Sequence, residues 1–137
     1  IVLDSSFIVK LVVEEEGSGK ARELVRSWIV SREVLATVDT ALAEALNALW
    51  KHCLKIKDLS PEEAVASVED LLNMWSKLKA YSSSEVGKQA FELALKEDVT
   101  VHDALYIQLA ISKKAGLASF DEKLVKAAAR HGVATYP

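Results

Sequence analysis

Short β-type runs alternate with longer amphipathic segments along the chain, and this alternation restricts the fold more than any other feature. Ile1-Val-Leu-Asp4, Val34-Leu-Ala-Thr-Val38, Leu78-Lys-Ala-Tyr81, Leu117-Ala-Ser-Phe120 and Val133-Ala-Thr-Tyr136 read as strands. Between them lie helical patterns. Ser5-Ser6 opens the apolar stretch Phe7 to Val13. Past the break at Gly17 and Gly19, Ala21, Leu24, Val25, Trp28 and Ile29 recur at helical spacing. Asp39 or Thr40 is placed to cap a helix carrying Leu42, Leu46, Leu49, Trp50 and Cys53 on one side. Ser60-Pro61-Glu62-Glu63 combines an N-cap, a proline at the first helical position and acids in the first turn. Ser82 with Glu85 makes a capping-box pattern before a helix ending near Lys96. Thr100 to Ala115 is helical and apolar on nearly all sides, and Asp121 to His131 forms the last helix. Strands separated by helices cannot pair through hairpins, so they form a parallel sheet covered on both faces. The predicted fold class is α/β, a three-layer α/β/α sandwich with a parallel central sheet, in a single domain spanning 1–137.

Composition narrows the function. With 137 residues, half of them hydrophobic, the chain can bury a core without disulfides or a structural metal. Cys53 has no second cysteine to pair with, which excludes an internal disulfide and a cysteine-rich zinc site and fits a reducing compartment. No apolar run approaches bilayer length, since even Phe7 to Val13 is interrupted by Lys10, and no basic-then-apolar leader opens the chain. The expectation is a soluble, cytoplasmic protein with no membrane role. Because Ile1 is not Met, the numbered chain is expected to lack its initiator or a short leading piece. The only side-chain amides are Asn47, Asn73, Gln89 and Gln108, a bias seen in proteins from hot environments. A net charge of −3 is not that of a protein that coats nucleic acid, so any nucleic-acid contact must be local.

Four acids stand out by position. Asp4 and Asp121 end strands, Glu44 follows another strand by less than two helical turns, and Asp103 opens the apolar helix. In parallel sheets, sites collect at the carboxyl ends of strands. Each acid also has a structural use: Asp4 and Asp121 as N-caps, Asp103 in a capping-box spacing with Thr100, and Glu44 in a polar stripe with Thr40, Asn47 and Lys51. Asp103 precedes Ala-Leu-Tyr-Ile-Gln-Leu-Ala-Ile111, so its charge needs a cation or several donors. Glu44 has no Lys or Arg at i±3 or i±4. If the four converge, each pair about 5 Å apart repels by on the order of 3 kcal/mol at an effective dielectric near 20. A divalent cation offsets that cost, and carboxylates without clustered His or Cys select Mg²⁺ or Mn²⁺ over zinc.

The blocks Val2-Leu-Asp4-Ser-Ser6, Ala43-Glu44-Ala45-Leu46-Asn-Ala-Leu-Trp50, Thr100-Val-His-Asp103-Ala-Leu-Tyr106 and Ala118-Ser-Phe-Asp121-Glu-Lys-Leu124 together resemble the PIN-domain family, and within it the VapC-like toxins of toxin–antitoxin pairs. No single block is specific; their order and spacing run across almost the entire chain. The resemblance implies metal-dependent endonucleolytic cleavage of RNA by a water activated on Mg²⁺ or Mn²⁺. Asp4, Glu44, Asp103 and Asp121 match the acidic catalytic and metal positions. Ser6 matches a hydroxyl beside the first aspartate, and Ser119 stands where relatives often carry Thr, so both would support the carboxylates. It further implies a homodimer and a cognate antitoxin that holds the toxin inactive.

Gly17-Ser-Gly19-Lys20 looks like the end of a phosphate-binding loop, but Glu14 and Ala21 stand where glycine and Ser or Thr belong. His102, His52 and His131 are assigned no chemistry. Trp28, Trp50 and Trp75 sit at apolar helical positions suited to core or interface. Lys51, Lys55, Lys57, Lys113 and Lys114 are either phosphate contacts or a solvated face. Two rival functions differ in class. A phosphoacceptor receiver needs paired acids after the first strand and a lysine ending the last, and Ser5 and the lysine-free Val133 to Pro137 depart from both. A non-catalytic PIN-fold adaptor is disfavoured by the presence of all four acids.

Overall fold

The computed structural model describes Ile1–Pro137. Its five strands are β1 (Val2–Leu3), β2 (Ala36–Val38), β3 (Lys79–Tyr81), β4 (Leu117–Ala118) and β5 (Thr135–Tyr136). They pair in parallel throughout, in the order β3-β2-β1-β4-β5. The helices are α1 (Ser5–Val12), α2 (Ser18–Val30), α3 (Thr40–Lys51), α4 (Pro61–Trp75), α5 (Gly87–Glu97), α6 (Val101–Lys113) and α7 (Glu122–Arg130). One group packs α1 with α2, α3 and α4, while α6 lies against β1, β2 and β4 and packs with α5 and α7. This is the predicted α/β/α sandwich. No helix is long and apolar enough to cross a membrane.

The central strands are apolar on both faces because both faces are covered. Val2, Leu3, Val38, Leu117 and Ala118 are fully buried. Between sheet and helices, Phe7, Ile8, Leu49, Leu71, Ile107, Leu109 and Leu124 fill one continuous core. An aromatic chain, Phe120 to Phe7 at 5.5 Å, Phe7 to Trp28 at 5.8 Å and Trp28 to Tyr136 at 5.3 Å, binds α1 and α2 to the loop after β4 and to β5. Gly17 opens α2 with φ +90°, and a Cβ there would lie 2.7 Å from the Phe120 ring, so the break it marks needs glycine twice over.

The capping signals behave as their chemistry requires at most helix starts. Ser60 and Glu63 form the reciprocal box at α4, with Pro61 at its first position. The Ser82 and Glu85 box instead closes a 3₁₀ turn, Ser83–Glu85, which leads into α5. Neither Asp39 nor Thr40 caps α3: the Asp39 carboxylate accepts from the Ser83 amide at 3.1 Å, and Thr40 Oγ1 is buried without a partner. Beyond α3 the chain runs on through a π-helical turn, His52–Ile56, that periodicity did not foretell. Trp28 is core, whereas Trp50 is 47% exposed.

Candidate metal centre

The four acids gather at the carboxyl edge of the sheet, each delivered by a different element. Asp4 follows β1 and caps α1, Asp121 follows β4 and caps α7, Asp103 sits in the first turn of α6, and Glu44 in the second turn of α3. Asp4 is the anchor. Its side chain is 3% exposed and accepts from the Phe7 amide at 2.7 Å, from Ser6 Oγ at 2.8 and 2.9 Å, and from Ser119 Oγ. The two serines also accept hydrogen bonds: Ser119 Oγ from the Asp121 amide at 2.9 Å, and Ser6 Oγ from the Phe120 amide at 3.3 Å. One hydroxyl pair thereby links the Asp4 carboxylate to the backbone that carries Asp121.

Glu44 finds partners across the fold where it has none on its own helix. Tyr106 donates its hydroxyl to Oε1 at 2.8 Å and Ser5 donates to Oε2 at 3.2 Å. His102 Nδ1 lies 3.8 Å from Oε1. Sequence reading did not single out Ser5 or Tyr106 as site residues. Tyr106 stands three residues after Asp103, hence on the same helix face, and that spacing was the available signal. Asp121 is exposed and accepts at Oδ1 from the amides of Lys123 and Leu124, at 2.8 and 3.1 Å. Asp103 is half-buried, and Thr100 Oγ1 accepts from its amide at 3.2 Å.

The charges are mutually unfavourable. Burial pushes the Asp4 carboxyl up to about 6, against partial relief from Ser119, Phe7 and Ser6, and the Asp103 charge adds to the rise. Burial likewise raises Asp103, followed by the charges of Asp121 and, more weakly, Glu44. Tyr106 is raised by burial and by the Glu44 charge, so it stays a hydroxyl donor. Asp103 is therefore the acid at the middle of these couplings, raised by Asp121 and Glu44 and itself raising Asp4. No three acidic, histidine or cysteine side chains are drawn up to metal-ligand spacing; the carboxylates stand apart around Asp103. An all-oxygen set with this much repulsion fits a hard divalent cation. A cleft of about 460 Å³, lined by Ser5, Ser6, Lys10, His52, Phe120 and Asp121 among others, opens beside it.

The family model for the PIN domain matches residues 1–130. Ribonuclease VapC3 of Pyrobaculum aerophilum is 39% identical over 126 residues, covering 92% of each chain. Among solved structures, VapC20 of Mycobacterium tuberculosis, a sarcin-ricin loop cleaving toxin, superposes with a TM-score of 0.70 at 20% identity, covering 92% of this chain and 93% of its own. VapBC2 of Rickettsia felis, bound to a promoter DNA fragment, gives a TM-score of 0.65 at 16% identity over 98% of this chain and 96% of its own.

Proposed function

The chain belongs to the PIN-domain family, on its VapC-like branch, and we propose that it is an Mg²⁺- or Mn²⁺-dependent endoribonuclease, the toxin of a toxin–antitoxin pair. The observation that carries this reading is the buried Asp4 carboxylate, raised to about 6, with Asp103, Asp121 and Glu44 grouped near it. A structural cap has no reason to accumulate like charge at its side. A nuclease has one, because the cation that relieves the repulsion is the group its chemistry needs.

When bound, the divalent ion supplies a water of lowered pKa and offsets charge on the phosphate and the leaving oxygen. Asp4, Asp103 and Asp121 offer the oxygens that hold it, directly or through water. Asp4 has its acceptor sites partly filled by Phe7, Ser6 and Ser119, so it contributes from a fixed direction. Ser6 and Ser119 hold that direction, and a carboxylate that cannot swing loses less entropy on ligation. Glu44, steadied by Tyr106 and Ser5, joins the ligands or orients the attacking water. The hydroxyl of Tyr106 remains a donor to Glu44 Oε1, which fixes the direction from which Glu44 would meet that water.

By the same likeness the 137 residues act as one unit, pair as a homodimer and are restrained by a cognate antitoxin. VapBC2, whose fold is shared, supports the antitoxin partner, and the homodimer rests on the family likeness alone. The test is cleavage of diverse RNAs by purified protein with Mn²⁺ or Mg²⁺. Wild type should cut, chelation should stop it, and Asp4→Asn should lower the rate by at least about a hundredfold, the scale of a lost supporting or catalytic carboxylate. Equal cleavage by wild type and Asp4→Asn overturns the assignment.

A further inference from the structure

Away from the acids, towards the amino edge of the sheet, lies a cleft of about 600 Å³ lined by Arg32, Lys79, Lys113 and Lys114. All four side chains are exposed. None sits in an ion pair, although Lys10, Lys20, Arg22, Lys126 and Arg130 all do. The chain as a whole is acidic, at −3, so four cations gathered in one cleft run against its overall charge. Glu33 is the one acid lining the cleft.

Two of the cations are ordered by an aromatic ring. Lys79 Nζ lies 5.1 Å and Lys113 Nζ 4.3 Å from the centre of the Tyr81 ring. A lysine in a solvated face roams among rotamers; one held over a ring has already lost part of that freedom and costs less to bring to an anion. Helix ends favour cations, which accounts for Lys113, Lys114 and Arg32 taken singly. Edge strands favour lysine, which accounts for Lys79. Neither preference makes residues from β3 and from the end of α6 meet over one tyrosine.

The acids repel a polyanion, so a ribonuclease of this charge needs cations elsewhere to hold its substrate. The helix α6 measures the separation, since it carries Asp103 in its first turn and Lys113 at its last residue. At 1.5 Å per residue that is about 15 Å. A stacked strand carries one phosphate per about 3.4 Å, and it must pass around the buried helix, so at least about five nucleotides bridge the two places. We propose that this cleft is an exosite that grips the phosphate backbone of the substrate RNA about five or more nucleotides from the bond cut at the acids. The inference rests on the ribonuclease reading for its ligand.

The test is binding of labelled RNAs of four and of twenty nucleotides to the full chain in EDTA, comparing wild type with Lys79→Gln/Lys113→Gln. Both substituted residues are exposed and outside the acid site, so an unchanged melting temperature confirms folding. The expected result is affinity for the long RNA lowered about tenfold, affinity for the short one unchanged, and a slope of log K against log salt shallower by about 1.4 for two lost phosphate contacts. An unchanged long-RNA affinity, or an equal loss on both lengths, overturns the exosite. So does a variant that loses binding only to anionic vesicles or to an acidic peptide. Salt-dependent long-RNA binding lost in the variant, in a wild type that cuts nothing with Mn²⁺, upholds the cleft while removing the ribonuclease reading. Cleavage of long RNA with identical kcat/KM in wild type and variant does the reverse.

Discussion

Replacing Asp4 by asparagine should stabilise the metal-free protein at neutral pH while abolishing its activity. The carboxyl titrates at about 6 in the fold against 3.8 when free, and burial is the leading cause. That difference converts to about 3 kcal/mol. Because the folded value lies above the free one, folding takes up a proton between the two: the contribution is fully present below about pH 3.8 and is lost as the pH rises through about 6. With the side chain 3% exposed, solvent screening takes little from the figure. Asparagine carries no charge to desolvate. It keeps an oxygen for the Phe7 amide, and Ser119 can turn to accept from the new amide group, at a cost that does not vary with pH. Chemical denaturation in EDTA, followed by tryptophan fluorescence, should therefore show Asp4→Asn gaining about 2 kcal/mol relative to wild type between pH 4.5 and pH 8. Saturating Mn²⁺ should cancel most of that advantage, since an ion at a hundred times its Kd stabilises only the chain that binds it, by about 2.7 kcal/mol. A stability difference between the two proteins that is the same at both pH values refutes the reasoning.

Ser119→Ala removes a donor that holds the Asp4 carboxyl down, so the acid limb of the pH–rate profile should move to higher pH, and calorimetry should show weaker Mn²⁺ binding. An unmoved acid limb would mean that the hydroxyl does not support the charge. Tyr106→Phe keeps the core ring and deletes only the donor to Glu44; about 1 to 2 kcal/mol of stability should go, by denaturant midpoint, together with about tenfold in kcat. Ser60→Ala opens the box at the start of α4, far in sequence from the acids, and should cost about 1 kcal/mol with unchanged kcat/KM.

Where local chemistry decides, the sequence could be read closely. Strand runs separated by amphipathic runs specify parallel pairing, and all five strands and all seven helices lie where those periods fall. Asp4, Asp103 and Asp121 stand out because each breaks an apolar context at a strand or helix end, and Glu44 because its own helix offers it no counter-charge. What escaped depends on pairs distant along the chain. Glu44 has no neighbour to pair with on α3, yet it is satisfied by Ser5 and Tyr106, which are 39 and 62 residues away. Asp39 caps nothing because Ser83, 44 residues on, takes its carboxylate. The π-helical turn at His52–Ile56 is held by ring contacts of His52 to Asp58 and Glu15, at 2.9 and 3.3 Å, one of them on a separate loop. The lysines over Tyr81 come from β3 and α6, so Lys113 alone could not announce them.

The place of β1 at the centre of the sheet has a consequence for how the protein is made. Its neighbour β4 is formed by Leu117–Ala118, and Ser119, which clamps Asp4, lies 115 residues downstream of it. A growing polypeptide that has exposed Asp4 and Glu44 still lacks the strand, the clamp and Asp121. A reaction centre built on these acids would not assemble until translation has passed Asp121, so a growing copy short of that point would leave the RNA around it uncut.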